Sequence, residues 1–147
     1  MDLNQAMELA LGQAMLSGLD VPVGAVLLDP WGQVVAAAHN ERELTGDPTA
    51  HAELLAIQRV GKAKGDWRLE DLTLVVTLEP CSMCAGAIVA ARLPKVIFGA
   101  FDEKVGAAGS RYDLLRDSRL GKPVEVIAGV REAECSKLLK DFFEAKR

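Results

Sequence analysis

Leu3, Ala6, Met7, Ala10, Leu11, Ala14 and Met15 recur at helical spacing, which predicts an amphipathic helix with one apolar stripe over residues 3–15. Gly18 is placed to stop it. The runs VPVGAVLLD (21–29) and QVVAAAHN (33–40) flank Pro30-Trp31-Gly32, the pattern of two strands joined by a tight turn. Pro22 near the opening of the first run fits a strand start or an edge strand. The segment ERELTGDPTA (41–50) is polar and ends in a helix-start pattern, followed by Leu54, Leu55, Ile57 and Val60 on a helical period. A polar, glycine-bearing loop is expected over Gly61–Asp66.

LTLVVTL (72–78) is a continuous β-branched and leucine run, as expected of a central strand covered on both faces. Glu79-Pro80 breaks it, and Pro80 suits the first turn of a helix over 81–91. KVIFGA (95–100) reads as another buried strand. The stretch 101–123 reads as a loop with a short helix around Tyr112 to Leu115. VEVIAG (124–129) is a last strand, and Cys135, Leu138, Leu139, Phe142 and Phe143 share one side of a closing helix. Alternating strands and helices after an initial hairpin argue an α/β sheet with helices on both faces. With no repeat, low-complexity tract or linker, residues 1–147 read as one domain.

Composition changes this picture little. Half of the residues are hydrophobic and 26% are charged, an ordinary globular balance. With four Phe, two Trp and one Tyr, the core must be mostly aliphatic. No apolar run approaches the roughly 18–20 residues that span a bilayer, and no basic-then-apolar leader opens the chain. Three cysteines are an odd count and make no disulfide framework, so a cytoplasmic address and no membrane partner are expected. Charge is uneven: residues 1–103 hold 7 Lys and Arg against 14 Asp and Glu, and residues 104–147 hold 10 against 7. A basic C-terminal third can face a polyanion, although on charge alone a solvated surface is the better explanation: charge permits a nucleic-acid partner without demanding one.

The candidate chemistry lies in two short motifs, His51-Ala52-Glu53 and Pro80-Cys81-Ser82-Met83-Cys84. Each opens a predicted helix. Residues i and i+3 share a helix face, so both sulfurs can point at one centre, and the helix N-terminus favours the thiolate. Zinc takes sulfur and nitrogen donors, and His51, Cys81 and Cys84 supply three. Three protein ligands leave a fourth position for water, as in a catalytic site. Glu53 is not needed as a ligand, and beside that position it can move protons between water and substrate. CxxC alone would fit a redox pair equally, and a closed structural zinc site would need His39 or Cys135 as a fourth ligand. Cys135 fits a small buried hydrophobe better, and His39 a loop-edge residue.

HxE followed by PCxxC is the signature pattern of zinc-dependent nucleobase deaminases. GDPTAHAE (46–53), VTLEPCSMCAGA (76–87) and FGAFDEKVGAAGS (98–110), with VPVGAV (21–26) and KDFFEAKR (140–147), together resemble the bacterial tRNA-specific adenosine deaminases. The resemblance spans nearly the whole chain. It implies a cytidine deaminase-like, three-layer α-β-α fold with a five-stranded mixed sheet between helices, a homodimer, and one zinc ion per subunit. It also implies hydrolysis of the wobble adenosine (position 34) of tRNA to inosine, with release of ammonia and the anticodon arm as partner. On this sequence it makes His51, Cys81 and Cys84 the metal ligands and Glu53 the proton shuttle. Asn40 would hydrogen-bond the flipped nucleotide, and Asp102 and Lys104 would lie near the RNA strand beside it.

Phe101, Arg111, Phe142 and Phe143 are candidates to stack neighbouring bases, with burial against the sheet the expectation for the last two. Lys137, Lys140, Lys146 and Arg147 could meet phosphates. Three positions depart from the family pattern. Gly121-Lys122-Pro123 stands where many members carry Asn-His, Val75 replaces an aromatic, and Ser82 replaces a proline within PCxxC. Two rival readings share the motifs: a deaminase of free bases or nucleosides, and a non-catalytic zinc-binding RNA module. The second would be expected to lose Glu53.

Overall fold

The β-branched run in the middle of the chain becomes the central strand. In the computed structural model, which describes residues 1–146, β3 (Thr73–Leu78) pairs antiparallel with β1 (Gly24–Leu28) and parallel with β4 (Lys95–Ala100). β2 (Val34–His39) closes one edge antiparallel to β1, and β5 (Glu125–Ile127) the other, parallel to β4. The result is a five-stranded mixed sheet in the order β2-β1-β3-β4-β5. Leu74, Val75 and Val76 alternate between its two faces and all are fully buried, which is why this strand carries no polar side.

Helices cover both faces. The α1 helix (Leu3–Ala14) and α5 (Glu132–Ala145) lie on one, where Met7, Ala10 and Cys135 pack with Val26, Val75 and Ile97. The α3 helix (Ala52–Lys64) and α4 (Ser82–Ala90) lie on the other, where Ala56, Val60 and Ile88 pack with Leu27, Leu74, Val76 and Phe98. A capping box between Asp2 and Gln5 opens α1. Close approach of α1 to β1 depends on Gly24, where a Cβ would overlap the Ala10 carbonyl oxygen and the Ala14 nitrogen.

The α/β class, the layered arrangement and the five principal strands agree with the expectation. Several boundaries do not. The α3 helix runs through Gly61 to Lys64, because its left-handed cap is Gly65 at φ 65°, not the earlier glycine. The polar segment contains a helical turn, α2 (Arg42–Thr45), ended by Gly46 at φ 68°. Pro80 precedes α4 rather than opening it, since Cys81 is the N-cap. β1 begins at Gly24, after Pro22. The expected short helix near Tyr112 is an extended return: Asp113 bridges Ala108, and the Leu114 N–H donates to the Ala107 carbonyl at 2.9 Å. On α5 only Cys135 is buried; Phe142 is half-buried and Phe143 is 50% exposed. The two rings stack edge-to-face at 5.3 Å instead of both burying against the sheet.

Candidate active site

The two motifs meet because two helices begin at the same place. β3 delivers the chain to Cys81, the N-cap of α4, and the loop after β2 delivers it to His51, the N-cap of α3. Neither side chain makes a cap hydrogen bond to its own helix, so both are free to face each other. His51 Nδ1 lies 3.4 Å from Cys84 Sγ and 3.7 Å from Cys81 Sγ, and the three donor atoms all fall within 4.8 Å of one another. Ligand bonds of about 2.0–2.3 Å in a tetrahedron put donors about 3.4–3.8 Å apart. An imidazole nitrogen and two thiol sulfurs at these separations therefore suit zinc in both chemistry and spacing.

The three donors share one anionic centre on Cys81. A hydrogen bond from the Cys84 thiol makes Cys81 acidic: against the opposing effect of burial its pKa falls to about 3, with the His51 imidazole and the Cys84 backbone N–H adding to the drop. Cys84 is pushed up in return, first by that shared hydrogen bond and then by burial. The His51 imidazole is raised, first by its hydrogen bond to Cys81. Neither His39 nor Cys135 joins the group. His39 Nδ1 sits 3.1 Å from the Asn40 carbonyl oxygen, and Cys135 is buried on the opposite face of the sheet.

Glu53 is the second residue of α3 and 4% exposed. Burial, the largest influence, raises its carboxyl above the ordinary glutamate value. It opens with His51 and Cys81 onto a cleft of about 140 Å³. Val21, Val23, Leu78 and Val105 form its apolar walls, and Asn40, Arg42, Glu79 and Asp102 its polar ones. The cleft lies at the carboxyl ends of β3 and β4, where open α/β sheets bind their ligands.

Asn40 reaches the cleft while holding its frame. Its Oδ1 accepts from the Ala52 N–H at 2.9 Å, and its Nδ2 donates to the Val21 carbonyl at 3.0 Å. An amide retains one more hydrogen and one more lone pair for a ligand. Asp102 also borders the cleft, with Oδ1 accepting from the backbone N–H groups of Lys104 and Val105 at 3.1 and 3.2 Å. Lys104 is exposed on the same turn, outside the lining. Phe101 is 46% exposed and packs edge-on to Phe98 at 5.1 Å, and Arg111 is exposed. Lys137 pairs with Asp141 at 2.6 Å, Lys140 is exposed, and Lys146 lies 4.6 Å over the Phe142 ring. Arg147 lies outside the described residues.

Two polar cleft residues escape the sequence reading, Arg42 and Glu79, as do the four apolar wall residues. Nothing marks Arg42 within a polar segment. Glu79 carries a faint signal, an acid closing an otherwise apolar strand directly before the cysteine motif.

Residues 1–100 match the cytidine and deoxycytidylate deaminase zinc-binding region. A tRNA-specific adenosine deaminase of Bacillus subtilis is 51% identical over 128 residues, spanning 87% of this chain and 79% of that protein. A solved structure from studies of A-to-I editing by tRNA:A34 deaminases at the wobble position superposes with a TM-score of 0.86 at 40% identity, covering 92% of this chain and 99% of the other. The guanine deaminase of Bacillus subtilis superposes less well, with a TM-score of 0.66 at 34% identity over 75% of this chain and 71% of its own. The chain thus belongs to the zinc-binding cytidine and deoxycytidylate deaminase family, among its tRNA-specific adenosine deaminases.

Proposed function

We infer that this protein is a zinc-dependent hydrolase that converts adenosine to inosine at the wobble position (34) of tRNA, releasing ammonia. The observation that carries the reading is Glu53, a buried carboxyl with a raised pKa, opening onto the same cleft as His51 and Cys81 of the His51-Cys81-Cys84 donor set. Likeness to tRNA-specific enzymes over most of the chain supports RNA as the substrate.

His51, Cys81 and Cys84 would hold the zinc. Bound there, zinc supplies the acidity that makes water a nucleophile at neutral pH. Glu53 accepts the proton that this water loses and donates it to N1 of adenine, so that C6 becomes electrophilic as the oxygen adds. It then takes the remaining hydroxyl proton and passes it to the exocyclic nitrogen, which leaves as ammonia while the C6 carbonyl of inosine forms. Asn40 orients the nucleotide with its spare amide hydrogen, and the valine and leucine walls exclude bulk water.

Reaching C6 requires the base to leave its stack, which costs less in a single-stranded loop than in a duplex. The anticodon arm is therefore the partner we assign, with Asp102 and Lys104 beside the RNA strand. A single domain acting as a homodimer in the cytoplasm completes the reading. Among the described residues no helix is long and apolar enough to cross a membrane.

The deciding experiment offers purified zinc-loaded protein an adenine-wobble anticodon hairpin, free guanine and free cytosine, with ammonia and inosine as readouts. Inosine at the wobble position supports the proposal. Ammonia from guanine or cytosine alone replaces it with a free-base deaminase, and no turnover with zinc bound leaves a non-catalytic RNA module.

A further inference from the structure

We propose that Glu79 is a positioning residue that fastens the 102–110 loop as the outer wall of the cleft, and that this wall sets how well the RNA is held. The inference rests on the functional reading above and adds a specificity element to it. Glu79 is 2% exposed and stands two residues before Cys81. Its carboxylate accepts from the backbone N–H groups of Asp102, Ala108 and Ser110, each at 3.0 Å, and from the Ser110 hydroxyl. A buried carboxylate is costly unless its lone pairs are filled, and here all the side-chain partners come from one loop.

That loop leans on the motif in other ways. The Ala107 N–H donates to the Pro80 carbonyl at 2.8 Å, and Gly106 bridges Cys81. Gly106 sits so close that a Cβ would overlap the Glu79 carboxylate and the Asp102 carbonyl. The loop contributes Asp102 and Val105 to the cleft and carries Lys104 on its exposed side. One carboxylate thus joins the metal-bearing end of β3 to the surface that a bound strand would touch. The Glu79 carboxylate makes no hydrogen bond to His51, Cys81 or Cys84, so its effect should fall on substrate retention rather than on the metal or the chemical step.

The test replaces Glu79 by glutamine, which keeps its volume but turns an acceptor into a donor facing N–H groups. Zinc content, amide exchange of residues 102–110, and KM and kcat on an anticodon hairpin are then measured. Glu79→Gln is expected to keep wild-type zinc, to speed exchange at Asp102, Ala108 and Ser110, and to raise KM about tenfold or more with kcat within about threefold. Ser110→Ala, on the exposed side of the loop, is expected to raise KM by about twofold to fivefold in the same manner; it decides the matter if Glu79→Gln does not fold. Unchanged exchange, or a fall in zinc and kcat at constant KM, overturns the proposal. A wild-type protein inactive on the hairpin overturns the functional reading alone, because exchange reports the loop's anchorage without substrate.

Discussion

His51 and Cys81 occupy the same position, the N-cap, of two different helices, with Nδ1 and Sγ 3.7 Å apart across 30 residues of sequence. An N-cap side chain ordinarily turns back to its own helix. Here both turn outward, and two helix N-termini direct their partial positive charge at one donor set. The arrangement separates the proposed metal ligands from the proposed proton carrier, Glu53, and that separation makes the site testable.

Glu53→Ala should leave the zinc content at one per chain while turnover falls by about a hundredfold to ten-thousandfold. Metal analysis alongside inosine formation checks it. A variant retaining most of its activity would mean that another group carries the proton.

Cys81→Ala should lose the metal and with it the tie between the starts of α3 and α4. Bound zinc stabilises the fold by about 3 kcal/mol when free metal is a hundred times the Kd. Thermal melts with and without a chelator are the measurement: the chelator lowers the wild-type Tm and leaves the variant's unmoved. Wild-type zinc in the variant would contradict the ligand assignment.

Asn40→Ala removes both the acceptor for the Ala52 N–H and the donor to the Val21 carbonyl. A loss of about 1–3 kcal/mol in stability is expected, together with a higher KM for the hairpin. Asn40→Asp keeps the acceptor but turns an oxygen toward the Val21 carbonyl, so it should also be destabilised. Denaturant titration and steady-state kinetics separate the two effects, and an unchanged KM in both variants would confine Asn40 to the frame.

Gly24→Ala should cost about 1–3 kcal/mol or more, because the added methyl meets backbone atoms of α1 that cannot rotate away. Gly24 lies outside the donor set, so zinc binding in the surviving folded fraction should match wild type. A melt equal to wild type would show that α1 can move off the sheet without penalty.

Much of the site was legible in the chain because its chemistry is carried by side-chain identity over short spans. HxE and PCxxC contain the three donors that the fold gathers and the carboxyl beside them, and helix-start signals place the cysteines where helix polarity favours the thiolate. The alternation of strands and helices and the run 72–78 were equally readable, since burial of Leu74, Val75 and Val76 on both faces leaves an apolar string.

Folding decided what is carried by backbone groups and by distance. The four groups that fill the Glu79 carboxylate lie 23 to 31 residues away, and three of them are backbone N–H groups, which every residue but proline possesses. No residue type announces them. The same reason hid the pairing of Asp113 with Ala108, the entry of Arg42 into the cleft and the continuation of α3 through Gly61. Local pattern specifies which groups can react; only the closed chain sets what holds them still.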